Sequence, residues 1–224
     1  MIIIKQKHMI IDDPDQFGLI ETAGRTCYKS EDKITSDSAR KFVQMLIKRS
    51  HLSVIEHAWA TIAIDEITFQ LIQDVLDRKH IVLQWSNEFG YMASANLRAW
   101  YEFLMEHPGH FESIKGSLMK HFDAFDWYFL HDRAAEEIYP IIPNASLVNH
   151  LCDDDALCKC IPQTARFITN RGVTHELVRH RDEASYSQES TRYVRDNGRM
   201  QFILPVWMYD DPATSVTPTT GSWV

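Results

Sequence analysis

Seven of the chain's thirteen arginines lie between Arg166 and Arg199, and within that stretch Arg179, His180 and Arg181 stand side by side. Three adjacent cationic or donor side chains cannot all be buried against apolar neighbours at tolerable cost. Any fold around them must leave a solvated face or a polar cleft with partners. An extended backbone sends Arg179 and Arg181 to one side and His180 to the other, so the triplet can serve two ligands. The planar fork of arginine matches phosphate and carboxylate groups, and the cluster suggests a local anion site. The plainer alternative is that several of these arginines pair with nearby acids such as Asp182, Glu183 and Asp196.

A chain of 224 residues with 45% hydrophobic and 24% charged residues can bury one good core or two small ones. Its net charge of −8 argues against binding bulk nucleic acid through phosphates. No apolar run approaches the roughly 20 residues that cross a bilayer, and Met1-Ile-Ile-Ile-Lys5 is too short an apolar block for a signal peptide. Cys27, Cys152, Cys158 and Cys160 form no CxxC pair and no disulfide-dense pattern, so a reducing cytoplasm is the expected setting.

Along the chain, Ile2 to Lys5 reads as a strand, and Asp13-Pro14 opens a helix running to about Thr26. Ser36 to Ser50 is the clearest amphipathic helix, with Phe42, Met45, Leu46 and the aliphatic part of Arg49 at helical spacing. His51 to Glu56 forms a junction, and Ala58 to Ile64 reads as a buried strand. Residues 66–79 and 95–106 look helical, Pro108-Gly109 breaks the chain, and residues 111–139 carry one or two aromatic-rich helices that end by Pro140 and Pro143. An acidic, cysteine-bearing connection follows over 150–159. Thr164 to Ile168 fits helix or strand, Gly172 to Arg179 a short helix, and Gln201 to Val206 a strand. Residues 210–224 read as a mobile tail. The expectation is a single α+β domain over 1–224, a mainly antiparallel sheet flanked by helices.

The informative run is His175-Glu-Leu-Val-Arg179-His180-Arg181-Asp-Glu-Ala-Ser185-Tyr-Ser-Gln188-Glu189-Ser190-Thr191-Arg192-Tyr193. A zinc-protease helix needs histidines at i and i+4; His175 and His180 are five apart, about 140° around a helix, and cannot easily share a metal. Ser185, Ser187, Gln188, Ser190 and Arg192 supply hydroxyl, amide and guanidinium groups suited to phosphate and to the carbonyl and imide edge of a pyrimidine. The residues alone therefore reach a phosphorylated, planar heterocyclic ligand, and no particular reaction.

This run resembles the signature of the flavin-dependent thymidylate synthases, also called the thymidylate synthase complementing proteins. Ala23-Gly-Arg25-Thr-Cys-Tyr28-Lys-Ser30, His51-Leu-Ser53-Val-Ile-Glu56-His57 and the Phe167 to Val178 lead-in fit the same family. The resemblance covers residues 20–65 and 165–206. It implies an enzyme that uses FAD, NADPH and methylenetetrahydrofolate to methylate dUMP to dTMP, assembled as a homotetramer with shared active sites. It further implies that Arg179, Ser190 and Arg192 hold dUMP as the catalytic set, with Gln188, Glu189 and Thr191 beside them and Glu176 near the sugar or base. His180, Arg181, Ser53 and His51 would meet FAD, together with Arg179 and Gln188. No cysteine nucleophile and no metal is implied.

Three features depart from the family pattern. The spacing from the arginine triplet to Ser190 is one residue longer. Residues 66–160 form a helical insertion or a rearranged segment, in which Ser94-Ala-Asn96-Leu-Arg98-Ala-Trp100 resembles the family's flavin-contacting Asn-x-Arg helix, or is an ordinary amphipathic core helix. The uracil-activating arginine expected beyond Arg98 falls on His107. His150, Cys152, Cys158 and Cys160, with Asp153 to Asp155, match no zinc-site spacing. Phe122, Phe125, Trp127, Tyr128 and Phe129 read as core packing or as a stacking surface for a folate or nicotinamide ring. The alternatives to the synthase are a related pyrimidine-nucleotide C5 methylase, a non-catalytic nucleotide- or flavin-binding homologue, and an arginine-mediated interaction module.

Overall fold

A computed structural model of the chain describes residues 2–11, 15–76, 80–107, 109–123, 139–150, 155–180, 184–190, 201–205 and 208. The tail at 210–224, the Asp13-Pro14 helix start, Cys152 to Asp154, and Phe125, Trp127, Tyr128 and Phe129 lie outside them. The chain divides into two compact units. One is built from residues 1–12, 22–34 and 163–224, the other from 13–21 and 35–162. The architecture of the described residues is mixed α+β with antiparallel sheets and helices, as the sequence led us to expect.

The larger unit is organised by an antiparallel sheet of order β4-β5-β3-β6, formed by Ile81–Ser86, Gly90–Asn96, Trp59–Ile64 and Ile141–Ile142. β3 is a run of apolar and small residues with Ile62 fully buried, as a strand covered on both faces requires. It pairs with β5 from Trp59↔Asn96 to Ile64↔Tyr91. Helix α2 (Ser38–Lys48) buries Phe42, Val43, Leu46 and Ile47. Met45 is only half-buried and Arg49 is exposed, so the apolar stripe lies one position round from the expected one. The helix is followed by a 3-10 helix at Leu52–His57.

Helix α3 (Glu66–Val75) starts where Asp65 accepts a hydrogen bond from the Thr68 N–H. Helix α4 (Leu97–Glu106) starts where Asn96 accepts from Ala99. Its inward face, Leu97, Trp100, Phe103 and Leu104, is the centre of the core. Trp100 Nε1 donates to the Ala60 carbonyl at 3.1 Å, so the largest core side chain also satisfies its one polar atom. Helix α5 (Glu112–His121), helix α6 (Asn144–Asn149) and a 3-10 helix at Asp155–Cys160 also belong to this unit. The described residues of 66–160 thus hold three strands besides their helices.

In the smaller unit β1 (Ile2–Ile4) pairs in parallel with β8 (Gln201–Ile203), and β2 (Lys7–Ile11) pairs antiparallel with β7 (Thr164–Ile168). The C-terminal half of helix α1 (Gln16–Tyr28) and helix α7 (Arg171–Leu177) accompany them. The ambiguity at 164–168 resolves as strand because β2 supplies a full ladder of five partners.

Candidate functional site

In the smaller unit the structure brings together two stretches about 160 positions apart, the end of α1 and residues 184–190. α1 closes with Ser30 N–H donating to the Arg25 carbonyl at 3.0 Å and Lys29 N–H to Thr26 at 3.3 Å. Lys29 itself adopts a left-handed backbone, φ +48°. Against this turn the Ser190 N–H donates to the Cys27 carbonyl at 3.0 Å. Lys29 Nζ meets Glu189 Oε1 at 3.2 Å, and Arg171 Nη1, from the first turn of α7, donates to the Glu189 carbonyl at 2.8 Å. The Cys27 thiol also lies beside Ser187 and the Gln188 backbone. Burial pushes its pKa up, and those hydrogen bonds do not offset the rise.

Gln188 carries the sharpest local signal. Its Oε1 is buried and has no hydrogen-bond partner. A buried amide end left unmet costs free energy comparable to a lost hydrogen bond. Amide ends can take either orientation, so the vacant position reads a donor such as an imide N–H or an acceptor such as a carbonyl.

α7 is short and capped by Asn170, whose Oδ1 accepts from the Val173 N–H at 3.0 Å. A Cβ on Gly172 would come 3.2 Å from that capping oxygen, so glycine keeps the cap open. A shallow hollow follows the helix, lined by Asn170, Gly172, Val173, Glu176, Leu177 and His180. Arg179 Nη1 pairs with Glu176 Oε1 at 2.8 Å, both side chains well exposed. The Tyr186 hydroxyl donates to the His180 carbonyl at 3.2 Å. Glu176, Arg179 and His180 are therefore neighbours at the end of α7. Gln188, Glu189 and Ser190 are neighbours on the α1 turn. Arg181, Thr191 and Arg192 lie outside the described residues.

In the larger unit His51 and Ser53 are exposed at the start of the 3-10 helix. The same helix supplies Glu56, whose Oε1 accepts from Arg98 Nη1 at 2.7 Å. Arg98 Nε donates to Glu102 at 2.8 Å, and the two carboxylates, Glu102 foremost, raise the Arg98 pKa. Leu97 N–H donates to the Ala58 carbonyl at 2.9 Å, which fixes α4 on that helix. The start of α4 thus meets the end of this 3-10 helix, with Asn96 engaged as a cap and Arg98 in ion pairs, while His51 and Ser53 stand at the helix's other end. His57, next to Glu56, has its pKa lowered by burial. His107 sits at the far end of α4 among rings, 4.9 Å from Phe103 and 6.0 Å from Phe111 between centroids.

Cys27, Lys29 and Arg171 were not among the expected site residues. Cys27 and Lys29 stand inside the Ala23 to Ser30 stretch, and Arg171 in the arginine cluster, but what joins them to Glu189 and Ser190 is long-range. Among the described residues no group of three or more His, Cys, Asp or Glu side chains could hold a metal ion, and no described helix is long and apolar enough to cross a membrane. A family model described as thymidylate synthase complementing protein matches residues 8–89 and 160–218, well over half of the chain. No curated protein and no solved structure matches it.

Proposed function

The chain belongs to the thymidylate synthase complementing protein family, and from that premise we propose that it reductively methylates dUMP to dTMP, using FAD with NADPH and methylenetetrahydrofolate as co-substrates. The observation that carries this reading is the unpaired, buried Oε1 of Gln188 in the motif segment. Uracil presents an imide N–H flanked by carbonyls, which an amide end can satisfy in either orientation.

The residues fit a nucleotide and a flavin by the chemistry of their donors. Ser190 and Arg179 offer a hydroxyl and a guanidinium for the nucleotide, with Thr191 and Arg192 next along the motif and Glu176 beside Arg179. His180, at the hollow on α7, and the exposed His51 and Ser53 offer donors for FAD, together with Arg181, Asn96 and Arg98. When bound, the flavin supplies the reducing equivalents for the methyl group. The protein binds and orients the pyrimidine and polarises its carbonyls.

The state of Cys27 supports chemistry without a cysteine nucleophile. The thiolate is the reactive form, and burial raises the pKa of the Cys27 thiol beside the motif, which disfavours that form. In this reading the active protein is a cytoplasmic homotetramer whose sites draw on several subunits.

The test is to titrate the purified protein with dUMP while following its visible spectrum. The expected result is a yellow protein whose flavin bands shift on dUMP addition and bleach with NADPH. Its colour returns when dUMP and methylenetetrahydrofolate are both present, with dTMP as product. A colourless protein that neither takes up FAD nor binds dUMP overturns the reading. Flavin and dUMP binding without turnover marks a non-catalytic homologue.

A further inference from the structure

Lys29 occupies a position where glycine is the ordinary choice. The Ser30 N–H to Arg25 carbonyl bond closes α1 in the pattern whose penultimate residue is left-handed, and Lys29 takes that conformation at φ +48°. A left-handed backbone is disfavoured for residues with a Cβ, so the helix would end more easily with glycine there. What glycine lacks is the side chain, and the Lys29 amine lies 3.2 Å from Glu189 Oε1. Both partners are about half exposed, so the pair adds little to the stability of the fold. Its consequence is positional. Arg171 holds the carbonyl of the same Glu189, and Cys27 holds the N–H of Ser190. Gln188, with its unmet amide oxygen, lies immediately before this gripped residue.

We propose that Lys29, together with Arg171, is a positioning residue for the nucleotide. By gripping Glu189 it holds residues 187–190 on the end of α1 and so sets where Gln188 and Ser190 meet the pyrimidine nucleotide. This rests on the reading that residues 188–190 bind dUMP. It gives Glu189 the role of anchor, its carboxylate facing Lys29, and leaves the contacts with the base to Gln188.

The informative variant is Lys29→Gly, which suits the left-handed turn and removes only the side chain. It is expected to melt at or above the wild-type temperature. Its dUMP affinity should be about 3- to 10-fold weaker, with kcat at saturating dUMP within about twofold of wild type. Lys29→Arg, which keeps the charge, is expected to restore binding. Glu189→Ala should weaken dUMP binding to a similar extent, and the double variant no further, because both act through one contact. Wild-type affinity in Lys29→Gly, or losses that add in the double variant, overturns the inference while leaving the dUMP site standing. A wild-type protein that binds no dUMP overturns both.

Discussion

Arg98 donates its Nη1 to Glu56 Oε1 at 2.7 Å, which ties the first turn of α4 to the 3-10 helix at residues 52–57. The Glu56 side chain is 10% exposed, whereas Glu102, the other partner of Arg98, is 42% exposed. The two acids touch the same guanidinium from different environments, so their removal has different consequences.

Glu56→Ala takes away the more buried carboxylate and leaves Arg98 with one partner. Since Arg98 itself is 36% exposed, water compensates in part, and the expected loss is about 1–2 kcal/mol. Glu102→Ala removes a surface pair and should cost no more than about 0.5 kcal/mol. Thermal or denaturant unfolding of the two variants checks the order. Equal losses would mean that α4 is not held through Glu56.

The Asp65 carboxylate gives a pH dependence with a definite sign. Its pKa is lowered from 3.8, first by the hydrogen bond from the Tyr139 hydroxyl and next by the Thr68 N–H it caps. A group whose pKa is depressed in the folded state stabilises that state above the unfolded value and loses this as pH falls through the folded one. Asp65→Ala should therefore be less stable than wild type by about 1 kcal/mol at pH 6–7, the usual worth of such a cap. The gap should begin to narrow as pH falls into the ordinary carboxylate range, about 4, and close only below it, as the folded carboxyl at last takes up its proton. Melts of both proteins between pH 3 and 7 follow it directly, and a gap that widens in acid contradicts the assignment.

How far these contacts were legible in the sequence depends on their range. Helices α2, α3 and α4 were legible as local helical patterns, whereas the caps that start α3 and α4, Asp65 and Asn96, emerge only in the structure. The hairpin of β4 and β5 was not anticipated. Its second strand reads Gly-Tyr-Met-Ala-Ser-Ala-Asn, and alanine and serine give no strand signal of their own. The segment becomes a strand because β3 and β4 flank it on both sides and bury five successive residues from Met92 to Asn96. β2 is likewise made by its partner β7. At the candidate site the motif at 185–190 was visible as chemistry. Its seat on Cys27 and Lys29 depends on a contact across about 160 positions, which no local pattern encodes.

Between β3 and β5, Thr61 and Ser94 face one another as directly paired residues and share a hydrogen bond of 2.6 Å. Ser94 Oγ also accepts from Trp59 Nε1 at 2.6 Å, and both hydroxyls approach the Cys160 carbonyl, at 3.1 and 3.2 Å. Ser94→Ala leaves the indole N–H without its acceptor and should cost about 2–3 kcal/mol. Thr61→Val, which leaves Ser94 in place to serve both Trp59 and Cys160, should cost about 1–2 kcal/mol. Urea unfolding of the two variants tests the ranking, and a larger loss for Thr61→Val would misplace Ser94 as the hub.

Gln188 sets stability against binding. Its buried Oε1 has no partner in the free protein, so the fold carries an unmet polar group that a ligand could satisfy. Gln188→Leu removes that amide while keeping much of its volume. The unliganded protein should gain about 1 kcal/mol, visible as a rise in Tm of a few degrees. The same substitution removes the group that reads the pyrimidine edge, so dUMP affinity should fall by about tenfold or more. Glutamine kept at a cost to the fold is what a binding residue shows when its partner arrives from outside the chain. If Gln188→Leu neither stabilises the free protein nor weakens dUMP binding, the unmet amide has no bearing on the nucleotide.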